Sequence, residues 1–431
     1  MGVELNGEAV AAVFETNFNE ANEYFFTQVK FLTLLVIFIL VAVLYFVFKF
    51  GKNLGVEFSK ASVIFSYILI AFNLISIKNA DKFDTPYHIT YLKSYFKTYE
   101  RYEKNQKARL ESIKNLKSAQ NGVFVLVLGE SQNKNYMSVY GYKKPTTPFL
   151  QELSKQENAV FFSQAHSNHT HTSPVLSFAL TAKNQYNDKK LENAPSIIEL
   201  AKMGGFDTIW LSNQVEFGLW GSPVSAIAMA TKNRIFTSKD DGIEKFDEAL
   251  FPIIDSVKPT EKMLIVIHLM GNHGSYDKRY PKKYQKFGNK RGEEHYENSM
   301  LYNDFVISQI LQKVQKIPNF KAMVYIADHA DVMGRGHDSK KFVYQMSQIP
   351  LFIYLSDEYK KANLQIYETL KSHKDEFFTN DLLFNLMSGL MGITSSLDEP
   401  KNDITNKLYD SNKTRFKTLH GKRTLINEIP K

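Results

Sequence analysis

Along this chain, five short runs are largely apolar in a way that neither a surface helix nor a half-exposed strand explains: Val123–Leu128, Asp207–Leu211, Met263–Leu269, Ala322–Ala327 and Leu351–Leu355. Continuous aliphatic and β-branched stretches of that length predict strands covered on both faces, as in a mainly parallel sheet. Stretches with helical character lie between them, among them Ser196–Met203 and Tyr302–Val314. The alternation predicts an α/β fold with a central, mainly parallel sheet flanked by helices. No internal repeat or low-complexity tract interrupts it.

Two of these runs stop abruptly. Val123–Leu128 gives way to Gly129-Glu130, and Ala322–Ala327 gives way to Asp328-His329. Ligands of parallel sheets gather beyond the carboxyl ends of the strands, so Glu130, Asp328 and His329 are expected at one rim, where a metal would sit. Glycine at 129 relaxes the turn that takes Glu130 off its strand.

The pattern changes character toward the amino terminus. Phe31 to Phe48 is an eighteen-residue apolar run with Thr33 as its only hydrogen-bonding aliphatic side chain, long enough to span a bilayer. A second run, Ala61 to Ile77, is interrupted by Ser66, Asn73 and Ser76. A buried helix competes there, but the short connector favours a second span. Lys49, Lys52 and Lys60 in the connector predict that this loop is cytoplasmic and that the rest of the chain lies outside the cytoplasm. The expected organisation is a membrane region over 1–87, with an outer-face segment 1–29 and helices at about 30–49 and 61–78. An amphipathic bridging helix occupies 88–120, and a catalytic domain 121–431. Tyr91, Tyr95, Tyr99 and Tyr102 recur at helical spacing in the bridge, suited either to a headgroup layer or to packing on the next domain. From the acidic opening of the chain no cleavable signal peptide is expected.

Composition narrows the chemistry. The 431 residues include no cysteine, which excludes disulfides and thiolate ligands, so a metal must rest on His, Asp, Glu or hydroxyl groups, as suits zinc or a harder divalent ion. The formal charge of +8 comes without a nucleic-acid motif and fits an anionic membrane surface better than nucleic acid.

Candidate chemistry falls in four segments. Beyond Gly129-Glu130-Ser131, the stretch Ser167-Asn-His-Thr-His-Thr-Ser-Pro174 crowds hydroxyls and imidazoles just ahead of an apolar stretch, Val175–Leu180. A threonine at a helix N-terminus beside a metal would have its alkoxide stabilised by both. By pattern alone, Thr172 or Ser173 reads equally as an N-cap with Pro174 at the first helical position. The third segment is Ile267-His-Leu-Met-Gly-Asn-His273, and the fourth runs from Asp328-His-Ala-Asp331 to Gly334-Arg-Gly-His337. Singly each histidine suits a core or loop position; jointly they describe a convergent metal-assisted transfer site.

The strings GESQNKNYMSVYGYKKPTTP from Gly129 to Pro148, Trp210-Leu-Ser-Asn-Gln214, HLMGNHGSYDKRYP from His268 to Pro281, and the DHAD and GHD pieces resemble the phosphoethanolamine transferases of Gram-negative envelopes. These belong to the alkaline-phosphatase-like superfamily that also holds the sulfatases. The resemblance implies an alkaline-phosphatase-like sandwich and a zinc site of Glu130, Thr172, Asp328 and His329. It implies one tightly bound Zn2+, with a second left open. Thr172 aligns with the family's nucleophile, with Thr170 as the fallback two residues earlier. His273 and His337 match histidines that hold the phosphoryl group or a second zinc and shuttle protons. Thr16-Asn-Phe-Asn-Glu-Ala21 is similar to a segment beside the lipid donor, which makes Thr16 and Glu20, one helical turn apart, candidates for the donor headgroup.

The same resemblance implies a multi-pass protein of the inner membrane, monomeric, with its catalytic domain in the periplasm. It would take phosphoethanolamine from phosphatidylethanolamine through a phosphothreonine-type intermediate to lipid A or a lipooligosaccharide core, with a protein acceptor also open. The product would lower surface charge and confer resistance to cationic antimicrobial peptides such as polymyxin. Family members have five spans, and the amino-terminal match comes after the third, so this chain is expected to begin late and to keep two. Alternatives are a glycerol-phosphate transferase or a sulfatase or phosphodiesterase on the same scaffold, and an inactive truncated envelope protein. A formylglycine sulfatase is disfavoured because no C/S-x-P-x-R signature occurs.

Overall fold

In the computed structural model, the described residues are 85–118, 120–216, 223–238, 245–290 and 292–430, with Phe38 and Ala42. The two expected spans, apart from those two residues, and the segment holding Thr16 and Glu20 lie outside them. Among the described residues no helix is long and apolar enough to cross a membrane.

The centre is a seven-stranded sheet. In chain order its strands are β1 (Gly122–Gly129), β2 (Ala159–Phe161), β3 (Asp207–Ser212), β4 (Asn233–Phe236), β5 (Lys262–His268), β6 (Phe320–Ala327) and β7 (Leu351–Leu355), and in space they run β2-β7-β6-β1-β5-β3-β4. The five strands from β6 to β4 are mutually parallel. Every residue of β1 and β6 is buried, which is why their sequences read as unbroken apolar runs. Alternate side chains feed two cores: Phe124, Leu126 and Leu128 join Leu264, Val266, Val324 and Ile326 on one face. Val123, Val125 and Val127 join Ile265, Ile267, Met323 and Tyr325 on the other.

The sheet is mixed rather than parallel throughout, because β7 runs antiparallel to both β6 and β2. No α-helix crosses back between β6 and β7; the connection stays at the rim where β6 ends, so β7 starts there and runs the other way. That connection carries Asp331 and His337. Expectation and structure differ at the long helix, which spans Glu293–Val314 instead of starting at Tyr302. Its first half buries Glu297, Asn298, Ser299, Asn303 and Asp304, so it lacks the apolar periodicity that reveals its second half.

The bridging region forms two helices, Thr85–Lys104 and Gln106–Ser112. Tyr102 is buried in the domain core and Tyr99 packs against it. Arg109 stacks on Tyr102, 3.6 Å from the ring centroid, and grips Glu199 of the helix Ile197–Met203 with Nη2 to Oε1 at 2.8 Å. The bridge is thus tied to the domain by a buried ion pair.

Candidate active site

Strand register places the chemistry. Gly129 pairs with Ala327, so the next residues of β1 and β6, Glu130 and Asp328, leave the sheet side by side. Lys321 is skipped in that pairing, since Val123 faces Phe320 while Phe124 faces Ala322, and this one-residue bulge sets the register at the far end. Leu128 pairs with His268 and Ser212 with His268, which brings the loops after β3 and β5 to the same rim.

Two glycines are required here. A Cβ on Gly129 would lie 2.3 Å from the Tyr325 hydroxyl, which is buried against Gln132. Gly271, at φ +52°, lets the loop after β5 pass so close to Glu130 that a Cβ would sit 2.9 Å from its backbone nitrogen. Asp247 pins that loop by accepting the N–H groups of Met270 at 2.8 Å and Gly271 at 2.9 Å. Ser131 adopts φ 56°, a left-handed conformation that turns its N–H to Asp328 Oδ1 at 2.9 Å.

Glu130, Asp328 and His329 are buried, and each offers a ligand atom within 4.8 Å of the others. Thr172, the first residue of the helix Thr172–Ala179, donates its hydroxyl to Glu130 at 3.1 Å (Oε2) and lies 3.4 Å from His329 Nε2. Thr170 is fully buried and its hydroxyl meets His171 Nδ1 at 3.0 Å instead. Of the two threonines, Thr172 is the one set against Glu130.

The electrostatics describe a donor set short of a cation. Burial and the charge of Glu130 push the Asp328 carboxyl well above the carboxylate range. Burial also works against Glu130, yet the hydrogen bond and charge of His329, with the charge of His273, hold it well below that range. His329 is pushed up to about 9, burial opposing and the two carboxylates prevailing. Asp328 Oδ2 and His329 Nδ1 are buried without a hydrogen-bond partner among the described residues. Two carboxylates and an imidazole converging around such an orphaned oxygen fit zinc or another borderline divalent ion.

His273 acts on Glu130 through its charge and has a buried Nδ1 with no hydrogen-bond partner among the described residues. His337 packs 4.6 Å from the His329 ring, and its Nδ1 is held by Asp331 Oδ1, while Tyr276 donates to Asp331 Oδ2 at 2.6 Å. His329, Asp331 and His337 make a second metal-competent group. All the predicted site residues among the described ones therefore share one rim.

Several neighbours carry no clear signal in the sequence. Gln214, visible there only within a matching string, reaches Glu130 Oε2 at 3.4 Å and Leu269 O at 2.9 Å. Asn380 donates to the Asp328 carbonyl at 2.7 Å. His171 packs 5.0 Å from His337, and its place inside the hydroxyl-rich segment is a usable signal. His420 stacks on Phe178 of the threonine helix at 3.9 Å and reaches Pro174 O at 3.1 Å. A single histidine in a polar tail gives no such signal.

A family model described as sulfatase matches residues 123–393. The chain is 25% identical over 352 residues to phosphoethanolamine transferase EptC of Escherichia coli, a match covering 75% of this chain and 60% of that protein. The crystal structure of the C-terminal periplasmic domain of Escherichia coli EptC in complex with Zn superposes with a TM-score of 0.65 at 24% identity, covering 72% of this chain and 94% of that one. The integral membrane protein lipooligosaccharide phosphoethanolamine transferase A from Neisseria meningitidis gives a TM-score of 0.70 at 19% identity, over 93% of this chain and 82% of that one. The fold, with its central mixed sheet, is alkaline-phosphatase-like.

Proposed function

The chain belongs to the sulfatase family, and from that premise we propose that it is a zinc-dependent phosphoethanolamine transferase acting at the periplasmic face of the inner membrane. Its donor is phosphatidylethanolamine and its acceptor lipid A or a lipooligosaccharide core. The observation that carries this reading is the Thr172 hydroxyl on Glu130, at a helix start and beside the buried pair Asp328-His329. Relatives named phosphoethanolamine transferases and a related periplasmic domain solved with Zn support it.

Glu130, Asp328, His329 and Thr172 would hold the zinc. Bound there, it would supply a Lewis acid that lowers the hydroxyl pKa and offsets developing charge. Glu130 orients the Thr172 hydroxyl, and the start of the Thr172–Ala179 helix favours negative charge on its oxygen. Thr172 Oγ1 passes its proton to the Glu130 carboxylate it faces and forms a bond to the donor's phosphorus as the phosphorus–glycerol oxygen bond breaks. Diacylglycerol leaves with a proton from His337, whose Nδ1 is fixed on Asp331 so that Nε2 is the nitrogen left to transfer it. His273 would hold the phosphoryl group. The acceptor oxygen then gives its proton to His337 and attacks phosphorus, and the bond to Thr172 Oγ1 breaks as Glu130 returns the proton to that oxygen. Thr16 and Glu20 would meet the donor headgroup. The added amine lowers surface negative charge and weakens binding of cationic peptides.

Incubating the full chain with phosphatidylethanolamine and weighing the intact protein tests this. A phosphoethanolamine adduct absent in Thr172→Ala is expected; an unmodified wild type with zinc bound would overturn the reading.

A further inference from the structure

Near the carboxyl terminus, Lys417–Thr418 and Arg423–Thr424 pair as a two-stranded antiparallel hairpin whose tip is held in a conformation its side chains disfavour. Leu419 and His420 both stand at φ 52°, and Gly421 follows at φ 88°. Two consecutive residues with side chains thus lie in the left-handed region, which persists only where the surroundings over-determine it. Those surroundings are the two halves of the reaction site.

Toward the nucleophile, the hairpin grips the chain on both sides of Thr172. Ahead of it, the Thr418 hydroxyl donates to Ser167 O at 2.9 Å and the His420 N–H to Asn168 O at 3.0 Å. Behind it, His420 Nε2 meets Pro174 O at 3.1 Å; a carbonyl only accepts, so Nε2 carries the proton. The ring lies flat on Phe178, one turn further along the helix, with 3.9 Å between centroids and 4° between planes. Toward the other half, Leu419 packs with Phe342 and Met346, and Arg423 lies over the Phe342 ring at 5.7 Å. Phe342 and Met346 belong to the connection between β6 and β7 that carries Asp331 and His337. Adjacent residues of one turn therefore touch the helix of Thr172 and the connection of His337, whereas Glu130, Asp328 and His329 are delivered by β1 and β6. We propose that the Leu419-His420 turn is a positioning device that fixes the Thr172 hydroxyl relative to His337, with His420 as a positioning residue for the transfer. Its role in the reaction rests on the transferase reading; the mechanical coupling rests on these contacts alone.

His420→Gly keeps the left-handed turn, which glycine adopts freely, and deletes the ring. His420→Gln leaves an amide nitrogen that can donate to Pro174 O and a flat group to lie on Phe178. The full chain loaded with zinc is compared in two ways: hydrogen exchange by mass spectrometry over residues 167–180, and the rate of phosphoethanolamine uptake on Thr172 against phosphatidylethanolamine concentration. In His420→Gly, exchange over 167–180 is expected to quicken about fivefold or more, the size of one lost hydrogen bond. The uptake rate at saturating lipid should fall about tenfold or more, as a displaced nucleophile requires, while KM and bound zinc stay within about twofold. His420→Gln should recover most of both losses. Unchanged exchange in His420→Gly overturns the proposal whether or not any adduct forms. A wild-type uptake rate in that variant, or a loss matched by lost zinc or not recovered by Gln, overturns it as well. Failure of the transferase reading is seen separately, as a wild type that takes up no phosphoethanolamine, and the exchange comparison then still decides the coupling.

Discussion

The Thr172 hydroxyl lies 3.1 Å from Glu130 Oε2, although 42 residues separate the two in sequence. Glu130 is delivered by the end of β1 and Thr172 by the first position of a helix, so neither depends on a mobile loop for its place. That relationship makes the threonine a nucleophile candidate and not merely a helix cap.

Replacing Thr172 by Ser keeps a hydroxyl at the same helical position and loses a methyl group. Adduct formation is expected to persist within about tenfold of wild type, while Thr172→Ala abolishes it. Intact-mass time courses with phosphatidylethanolamine decide; an adduct on Thr172→Ala at the wild-type rate would remove Thr172 from the mechanism.

Glu130→Gln and Asp328→Asn should each lower zinc affinity by more than the roughly 10–100-fold that loss of an outer-sphere partner costs. Zinc content after dialysis, by mass spectrometry of the metal, is the measurement. Chelation of the wild type should lower its Tm, because a ligand bound only to the folded state stabilises it. Undiminished zinc in both variants would place the ion elsewhere.

Arg109 and Glu199 are buried together, and Glu199 also accepts the Ser196 N–H at 2.8 Å in a capping box. Arg109→Ala strands the carboxylate and is expected to cost about 3–5 kcal/mol, whereas Arg109→Met with Glu199→Leu should recover much of it. Denaturant melts of the single and double variants test this. A single variant as stable as wild type would show that the bridge is not held by the pair.

Asp304 accepts the N–H groups of Phe149 and Leu150 at 2.8 and 3.0 Å, capping the helix Pro148–Leu153 from across the domain. Burial nevertheless pushes its carboxyl up to about 7, against 3.8 for the free group. A carboxyl raised on folding binds its proton more tightly in the native state. Its contribution is therefore present at low pH and lost as pH rises from about 4 to 7, by a few kcal/mol, about 4 at the upper end. Asp304→Asn should flatten that part of the stability profile, even if the amide caps less well and lowers the whole curve. Denaturation at pH 5 and pH 8 measures the slope, and an unchanged slope would contradict the assignment.

The sequence by itself determined five of the seven strands and the candidate site residues at their ends; the short edge strands β2 and β4 leave no long apolar run to read. Burial on both faces forces an unbroken apolar run, and a run that stops at Glu130 or at Asp328-His329 marks where the sheet meets solvent or ligand. It also delivered the short list of hydroxyls and histidines. Register, direction and side-chain choice belonged to the tertiary structure. A bulge at Lys321 aligns Gly129 with Ala327, and a rim-hugging connection turns β7 antiparallel while carrying Asp331 and His337 over the site. Only packing set Thr172, and not Thr170, against Glu130, brought Gln214 and Asn380 to the rim, and laid His420 on the threonine helix. Local pattern encodes which face of an element is buried; it does not encode which distant element covers that face, and the site is made of such meetings.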